Sequence, residues 1–253
     1  VTTNTGGTVS LGGNVTTTGA QTYNDAVSLT GNVILNAPSI TTASTIAAGS
    51  NNLTMTTDAL TLGSNITGTG ALVIQPKTNS TSIAIGSSAT GTLALSDTAL
   101  TYINDAFSSI TIGSATGTAA IGIDYAAASF TFTNPLVLRS NTGNIAAVDT
   151  LRTGTNSLTL STGGTVNLAG VLSGALSVTG SAITLNNDIT TSGSQSYTGP
   201  VTLASNITLD SGSSGAVSFS STVNSANSTA RNLNVTAGSG NVTFTGAVGN
   251  TYA

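Results

Sequence analysis

The stretch Ser181–Leu209, SAITLNNDITTSGSQSYTGPVTLASNITL, decides the fold. It holds Ile183-Thr184-Leu185, Val201-Thr202-Leu203 and Ile207-Thr208-Leu209, three apolar–polar–apolar triplets separated by Asn, Gly, Ser, Thr or Pro. Alternation with period two marks a strand with one buried face. A strand of three residues buries little by itself. A chain built of many such strands, evenly spaced, must stack them.

Outward from this stretch the triplet recurs along the chain. Val9-Ser10-Leu11, Val27-Ser28-Leu29, Leu60-Thr61-Leu62, Ile110-Thr111-Ile112, Leu158-Thr159-Leu160 and Val242-Thr243-Phe244 are examples. Neighbouring triplets lie about six to twelve residues apart, so two or three of them make a coil of about twenty residues, a solenoid repeat length. A longer echo overlies this pattern. Asn14–Asn36, NVTTTGAQTYNDAVSLTGNVILN, aligns with Asn187–Asp210, NDITTSGSQSYTGPVTLASNITLD, without a gap from Thr16 and Thr190 onward. At this offset of 174, Gly19/Gly193, Gln21/Gln195, Tyr23/Tyr197, Val27/Val201, Leu29/Leu203, Asn32/Asn206 and Leu35/Leu209 are identical. Further on, Asn52-Leu53-Thr54-Met55 matches Asn232-Leu233-Asn234-Val235 after a small insertion.

Composition narrows the fold class. Of 253 residues only 5% are charged, and the formal net charge is −4. There is no Cys, His or Trp, aromatics are 4%, and the acidic residues are all Asp. Roughly a third of residues are Ser or Thr, well above the usual background. A disordered stalk needs low hydrophobicity, with high charge or many Pro, and this chain has four Pro and recurrent Val, Ile and Leu. Helix is excluded on propensity and on the lack of a 3.6-period apolar stripe. A β-sandwich wants longer strands, hairpin dipeptides and a bulkier core. The reading is therefore all-β, a parallel β-helix (β-solenoid). Corner Gly and Asn supply the turns, and like residues stack in apolar and polar ladders. Composition does not shift and no linker interrupts it, so 1–253 reads as one solenoid segment. Both ends fall in mid-pattern, as in a piece of a longer repetitive chain. The least regular stretch, Thr101–Ala128, reads as a coil with a longer loop.

The sequences TTTGAQTYNDAVSLTGNVILN, TTSGSQSYTGPVTLASNITLD and NLNVTAGSGNVTFTGAVG resemble repeats of filamentous-haemagglutinin-like giant bacterial surface adhesins, the two-partner-secretion type. The resemblance covers most of the chain. It implies a right-handed β-helix of about a dozen coils, export across an outer membrane, and an adhesive or scaffolding role. The family's amino-terminal secretion domain is not recognisable in this sequence.

Chemistry is sparse. Without His, Cys or Glu, acid–base work near neutral pH falls to Asp, Lys or Tyr. Asp25, Asp58, Asp97, Asp105, Asp124, Asp149, Asp188 and Asp210 are scattered, mostly in turns, where Asp is a common turn residue. Asp105 and Asp124 lie near one coil length apart and are spaced to stack, with either repulsion or a bound cation as the consequence. Lys77, Arg139, Arg152 and Arg231 form no basic run, which argues against nucleic acid. The recurrence of Gln21/Tyr23 as Gln195/Tyr197 favours a stacked structural corner over a ligand pocket. Thr54/Thr56, Thr131/Thr133 and Thr243/Thr245 have the Thr-x-Thr spacing of ice-binding solenoids, but with no register visible from coil to coil. No apolar run approaches the ~18 residues of a membrane span.

The expectation is a non-catalytic structural or adhesive segment of an extracellular, cell-surface bacterial fibre or giant adhesin. It has no catalytic, cofactor or metal residues. Its partners are neighbouring copies or flanking solenoid segments, with surface glycans next, and neither nucleic acid nor membrane insertion. The alternative is a polysaccharide-binding or polysaccharide-cleaving β-helix.

Overall fold

The computed structural model describes residues 1–104, 106–126 and 130–249. Its strands pair in parallel and stack as a β-solenoid of about 11 turns, with almost no helix. Contacts divide the chain into two units, Val1–Ala127 and Ala128–Ala253.

In the first unit each coil contributes short strands to three columns. One column holds Thr8–Leu11, Ala26–Leu29, Ile46–Ala47 and Ile66–Thr67. A second runs through Val15–Thr16, Val33–Asn36, Leu53–Thr56, Ala71–Gln75 and Ser109–Gly113, and a third through Gln21–Tyr23, Ser39–Thr42 and Ala59–Leu62. Like falls on like: Val9 lies on Val27, Val27 on Ile46 and Ile46 on Ile66. Leu53 lies between Val33 and Leu72. Apart from the lowest coil, these inward residues are buried, each worth about 1.5–3 kcal/mol when removed from water.

After Ala71–Gln75 the sequence order of stacking breaks. Ile83–Ile85 pairs with Leu93–Leu95 on one side and Ile121–Ile123 on the other. Leu93–Leu95 packs in turn against Ala59–Leu62. The later strand thus lies below the earlier one. Gly86 makes the reversal possible: its φ of +99° is in the left-handed region, and a Cβ there would strike the Asp124 carbonyl. A five-residue helix, Asp97–Thr101, follows, with the Ser96 hydroxyl accepting from the Ala99 N–H at 3.1 Å. Leu100 and Phe107 fill the interior beside it, and Ile103 bridges to Ile66 to rejoin the first column. The exclusion of helix as the fold class holds, and this short helix forms because a capping Ser and a buried Ala-Leu pair outweigh weak propensity. One sequence expectation is corrected. The irregularity starts at Gly86 rather than Thr101, because the loop 86–92 sets it.

The second unit keeps sequence order throughout. Its three columns run from Leu136–Ser140 to Val242–Phe244, from Ile145–Ala147 to Val223–Ser225 and from Leu151–Arg152 to Leu233–Thr236. In the first column Leu158, Leu176, Gln195, Val217 and Val242 stack, as do Leu160, Val178, Tyr197, Phe219 and Phe244. The rings of Tyr197 and Phe219 lie parallel at 5.0 Å, and those of Phe219 and Phe244 at 4.9 Å. That spacing is close to the ~4.8 Å between strands, so the backbone itself sets the aromatic stack. Polar corners repeat too. Asn14 Oδ1 accepts from Ile34 N at 2.8 Å, and Asp188 Oδ1 accepts from Thr208 N at 2.7 Å, at the same offset of 174. Val33 lies on Leu53 and Ile207 on Leu233, so the match after the insertion is a structural one.

Candidate functional site

The two Gln-x-Tyr sequences build the same buried corner twice. Gln21 Nε2 donates to Val15 O (2.9 Å), Asn36 O (3.2 Å) and Thr17 Oγ1 (3.3 Å), and its Oε1 accepts from Tyr23 OH at 3.0 Å. Gln195 Nε2 donates to Ile189 O (3.4 Å), Asp210 O (2.8 Å) and Thr191 Oγ1 (3.2 Å), and Tyr197 OH reaches Gln195 Oε1 at 2.9 Å. All four side chains are buried. The Gln amide thus satisfies corner carbonyls of two successive coils, and the Tyr hydroxyl completes the amide. Burial pushes the Tyr23 hydroxyl up to about 12 and raises that of Tyr197 as well, so both stay protonated. These groups hold the coil together.

Most of the carboxylates whose hydrogen bonds are in view do the work of corner Asn. Asp25 Oδ1 accepts from Gly7 N at 2.7 Å, and Asp210 Oδ1 from Gly212 N at 2.9 Å. Asp97 Oδ1 accepts from Ser87 N at 3.1 Å and its Oδ2 from Ala126 N at 3.0 Å, tying the helix start to the reversal. Asp58 accepts from Thr78 N (2.8 Å), Thr78 Oγ1 (2.6 Å) and Thr81 Oγ1 (2.9 Å). Burial alone would raise its carboxyl, but the Thr78 and Thr81 bonds outweigh it and hold the group below the usual range. The expected Asp105–Asp124 pair cannot be placed, since Asp105 lies outside the described residues. Among the described residues no group of three acidic side chains is arranged to hold a metal ion. Lys77 is engaged by Asn36, its Nζ donating to Oδ1 at 2.7 Å.

What the sequence reading missed is an outward face of the second unit. Thr159, Ser177, Ser196, Ser218 and Thr243 align in register, coil on coil. Two residues along each strand a second file follows. Ser161, Thr179 and Thr198 are in register, and Ser220 and Thr245 continue it through N–H bonds to Tyr197 O and Phe219 O. The result is a two-file lattice of hydroxyls, about 4.8 Å apart along the stack and about 6.6 Å apart along the strands. Ser218 Oγ reaches Gln195 O at 3.5 Å; among the described residues the other hydroxyls of the lattice make no intramolecular hydrogen bond. No register was apparent for Thr243/Thr245 from sequence, yet they form its last rung. Thr54 and Thr56 build no such file, because Thr54 lies between Ile34 and Val73. Thr131 bridges to Arg152.

A recurring signal accompanies the lattice. Ser173-Gly174-Ala175-Leu176-Ser177-Val178 is followed by SGSQSY at Ser192–Tyr197, SGAVSF at Ser214–Phe219 and SGNVTF at Ser239–Phe244. The Gly of each coil sits against the Gly below: a Cβ at Gly193 would lie 2.9 Å from Gly174 O, and one at Gly215 would lie 2.6 Å from Gly193 O. Only Gly lets these corners close onto one another, and that closure brings the next strand into register.

Comparison with protein-family models, curated proteins and solved structures gives no match. Among the described residues no helix is long and apolar enough to cross a membrane.

Proposed function

We propose that this chain is a structural and adhesive segment of an extracellular bacterial surface fibre or giant adhesin, without catalysis. The observation that carries this reading is the hydroxyl lattice, an uncharged hydrogen-bonding face beside corners whose Gln, Tyr and Asp groups are already engaged. One hydroxyl contact adds about 0.5–1.5 kcal/mol at most, so such a face binds by repetition, as a neutral surface glycan would require. The resemblance of the repeats to filamentous-haemagglutinin-like adhesins supports the same reading.

The test uses the double variant Ser196→Lys and Ser218→Lys, both solvent-facing, against wild type. Wild type should be retained on neutral polysaccharide or on cell-surface glycans, and the variant should lose at least about tenfold in affinity. Freezing-point hysteresis without glycan retention would assign the face to ice instead. A hydrolase or lyase activity abolished by replacing one Asp would overturn the non-catalytic reading.

A further inference from the structure

The corner between Val223–Ser225 and Leu233–Thr236 differs from its counterpart in the first unit. Register equates Val223 with Ile46, which lie on Val201 and Val27, and Leu233 with Leu53, which lie on Ile207 and Val33. The segment from 223 to 233 is therefore three residues longer than that from 46 to 53. In the shorter corner Ala48 is fully buried, and Asn51 Nδ2 donates to Ala48 O and Leu29 O at 3.1 Å. In the longer corner Asn227 and Ser228 take left-handed φ of 53° and 55° and carry the loop outward. Arg231 then returns the chain, its N–H held by Ser225 Oγ at 3.0 Å.

Beside the detour, on the last described coil, lies a half-open cavity of about 540 Å³, lined by Leu203, Val223, Leu233 and Val248 and by Arg231 and Asn232. Arg231 Nε is buried and lacks a hydrogen-bond partner, and no acidic side chain pairs with Arg231 among the described residues. Arg231 is partly buried, and its Nε is the atom shielded from water without an acceptor, as at Arg139 and Arg152. The planar fork of a guanidinium matches a carboxylate with two parallel hydrogen bonds. The volume lies within the ~300–1,000 Å³ of small-molecule sites, and apolar walls with a few polar groups are their usual lining.

We infer that this corner is a binding site for a small carboxylate carried on a sugar, an acidic monosaccharide unit seated with its carboxylate on Arg231. The carboxylate follows from Arg231 and the cavity alone. The sugar rests on the surface-glycan reading above, with the apolar walls taking the ring face and Asn232 a hydroxyl.

Calorimetric titration of the full chain at low salt, with glucuronate, glucose and butyrate as probes, tests it. Glucuronate should bind at least about tenfold more tightly than either of the others, since a hydrogen-bonded charge pair is worth a factor of that size. Arg231→Gln should remove that advantage with its melting temperature unchanged, because the corner is held by the backbone N–H. Raising salt should weaken glucuronate binding in wild type but not in the variant. Wild-type affinity in Arg231→Gln, glucose binding as well as glucuronate, or no saturable binding of glucuronate would overturn the site. Butyrate binding as tightly as glucuronate would overturn the sugar. Failure of the surface reading shows separately, in the Ser196→Lys, Ser218→Lys retention assay.

Discussion

Between Leu158 and Phe244 each strand lies on the one a coil earlier, whereas between Ile83 and Ile123 a later strand slips beneath an earlier one. Both regions use the same kind of strand. Ile83-Ala84-Ile85, Leu93-Ala94-Leu95 and Ile121-Gly122-Ile123 are interchangeable apolar triplets, and any of them fits above any other. The ladder therefore does not encode stacking order. Corners do. In the regular region a Ser-Gly corner recurs before each strand of the first column from Leu176–Thr179 onward and brings the chain round once per coil. In the departing region Gly86 turns the chain back after one strand, and the Ser96-capped helix restores the path.

The largest expected effect tests the regular stack. Tyr197→Ala removes a fully buried ring from the aromatic ladder and should destabilise the second unit by about 3–5 kcal/mol in denaturant unfolding. Next, Gln195→Leu leaves the Ile189 and Asp210 carbonyls and the Tyr197 hydroxyl without their partner. The expected loss is about 1–3 kcal/mol for each group that water cannot reach. Gln21→Leu should behave alike, because its corner is the same; a large difference between the two would break the equivalence of the echo.

Glycine substitutions separate the two regions more directly. Gly215→Ala forces a Cβ against Gly193 and should cost about 1–3 kcal/mol. Gly122→Ala, in the departing region, meets nothing nearer than Thr90 O at 3.9 Å and has no left-handed φ. Its expected effect is within about 0.5 kcal/mol. Equal effects at the two sites would show that corner closure is not what orders the regular stack. Ser96→Ala should cost about 1 kcal/mol, and amide exchange should quicken at Ala99 and Leu100 while the second unit is unaffected.

The smallest effect concerns pH. Asp58 has a folded-state pKa below its ordinary value, so its contribution is complete at neutral pH. That contribution starts to fade as pH falls below the usual Asp value of about 3.9, and is gone once the folded value is passed. Amide exchange at Thr78 should rise over that acid range in wild type. Asp58→Asn, which cannot titrate, should show no such rise.

Much of this is legible in the amino-acid sequence. The triplets point to parallel coils of about twenty residues. The recurrence of Gln21/Tyr23 at Gln195/Tyr197 marks a structural corner, and scattered Asp read as turn residues where their bonds are in view. The hydroxyl lattice is not legible there, because coils of the second unit vary in length. Thr159, Ser177, Ser196, Ser218 and Thr243 keep no fixed interval, and their alignment depends on how each loop closes. The Ser-Gly corners are the one signal that could have revealed it, since each resets the count just before its strand. The helix at Asp97–Thr101 escapes notice for a related reason: a single cap and two buried side chains carry it, and window-averaged propensity does not register them.

By itself, then, the sequence determined strand period, coil length, the buried apolar positions of the strand triplets and the repeated Gln–Tyr corner. All of these depend on neighbours within a few residues or on a repeat visible in the letters. Tertiary structure alone decided the order in which coils stack, which outward hydroxyls share a file, and where a longer corner opens a cavity around Arg231. Those depend on loop paths closing in three dimensions, and interchangeable Val, Ile and Leu triplets leave no local record of them.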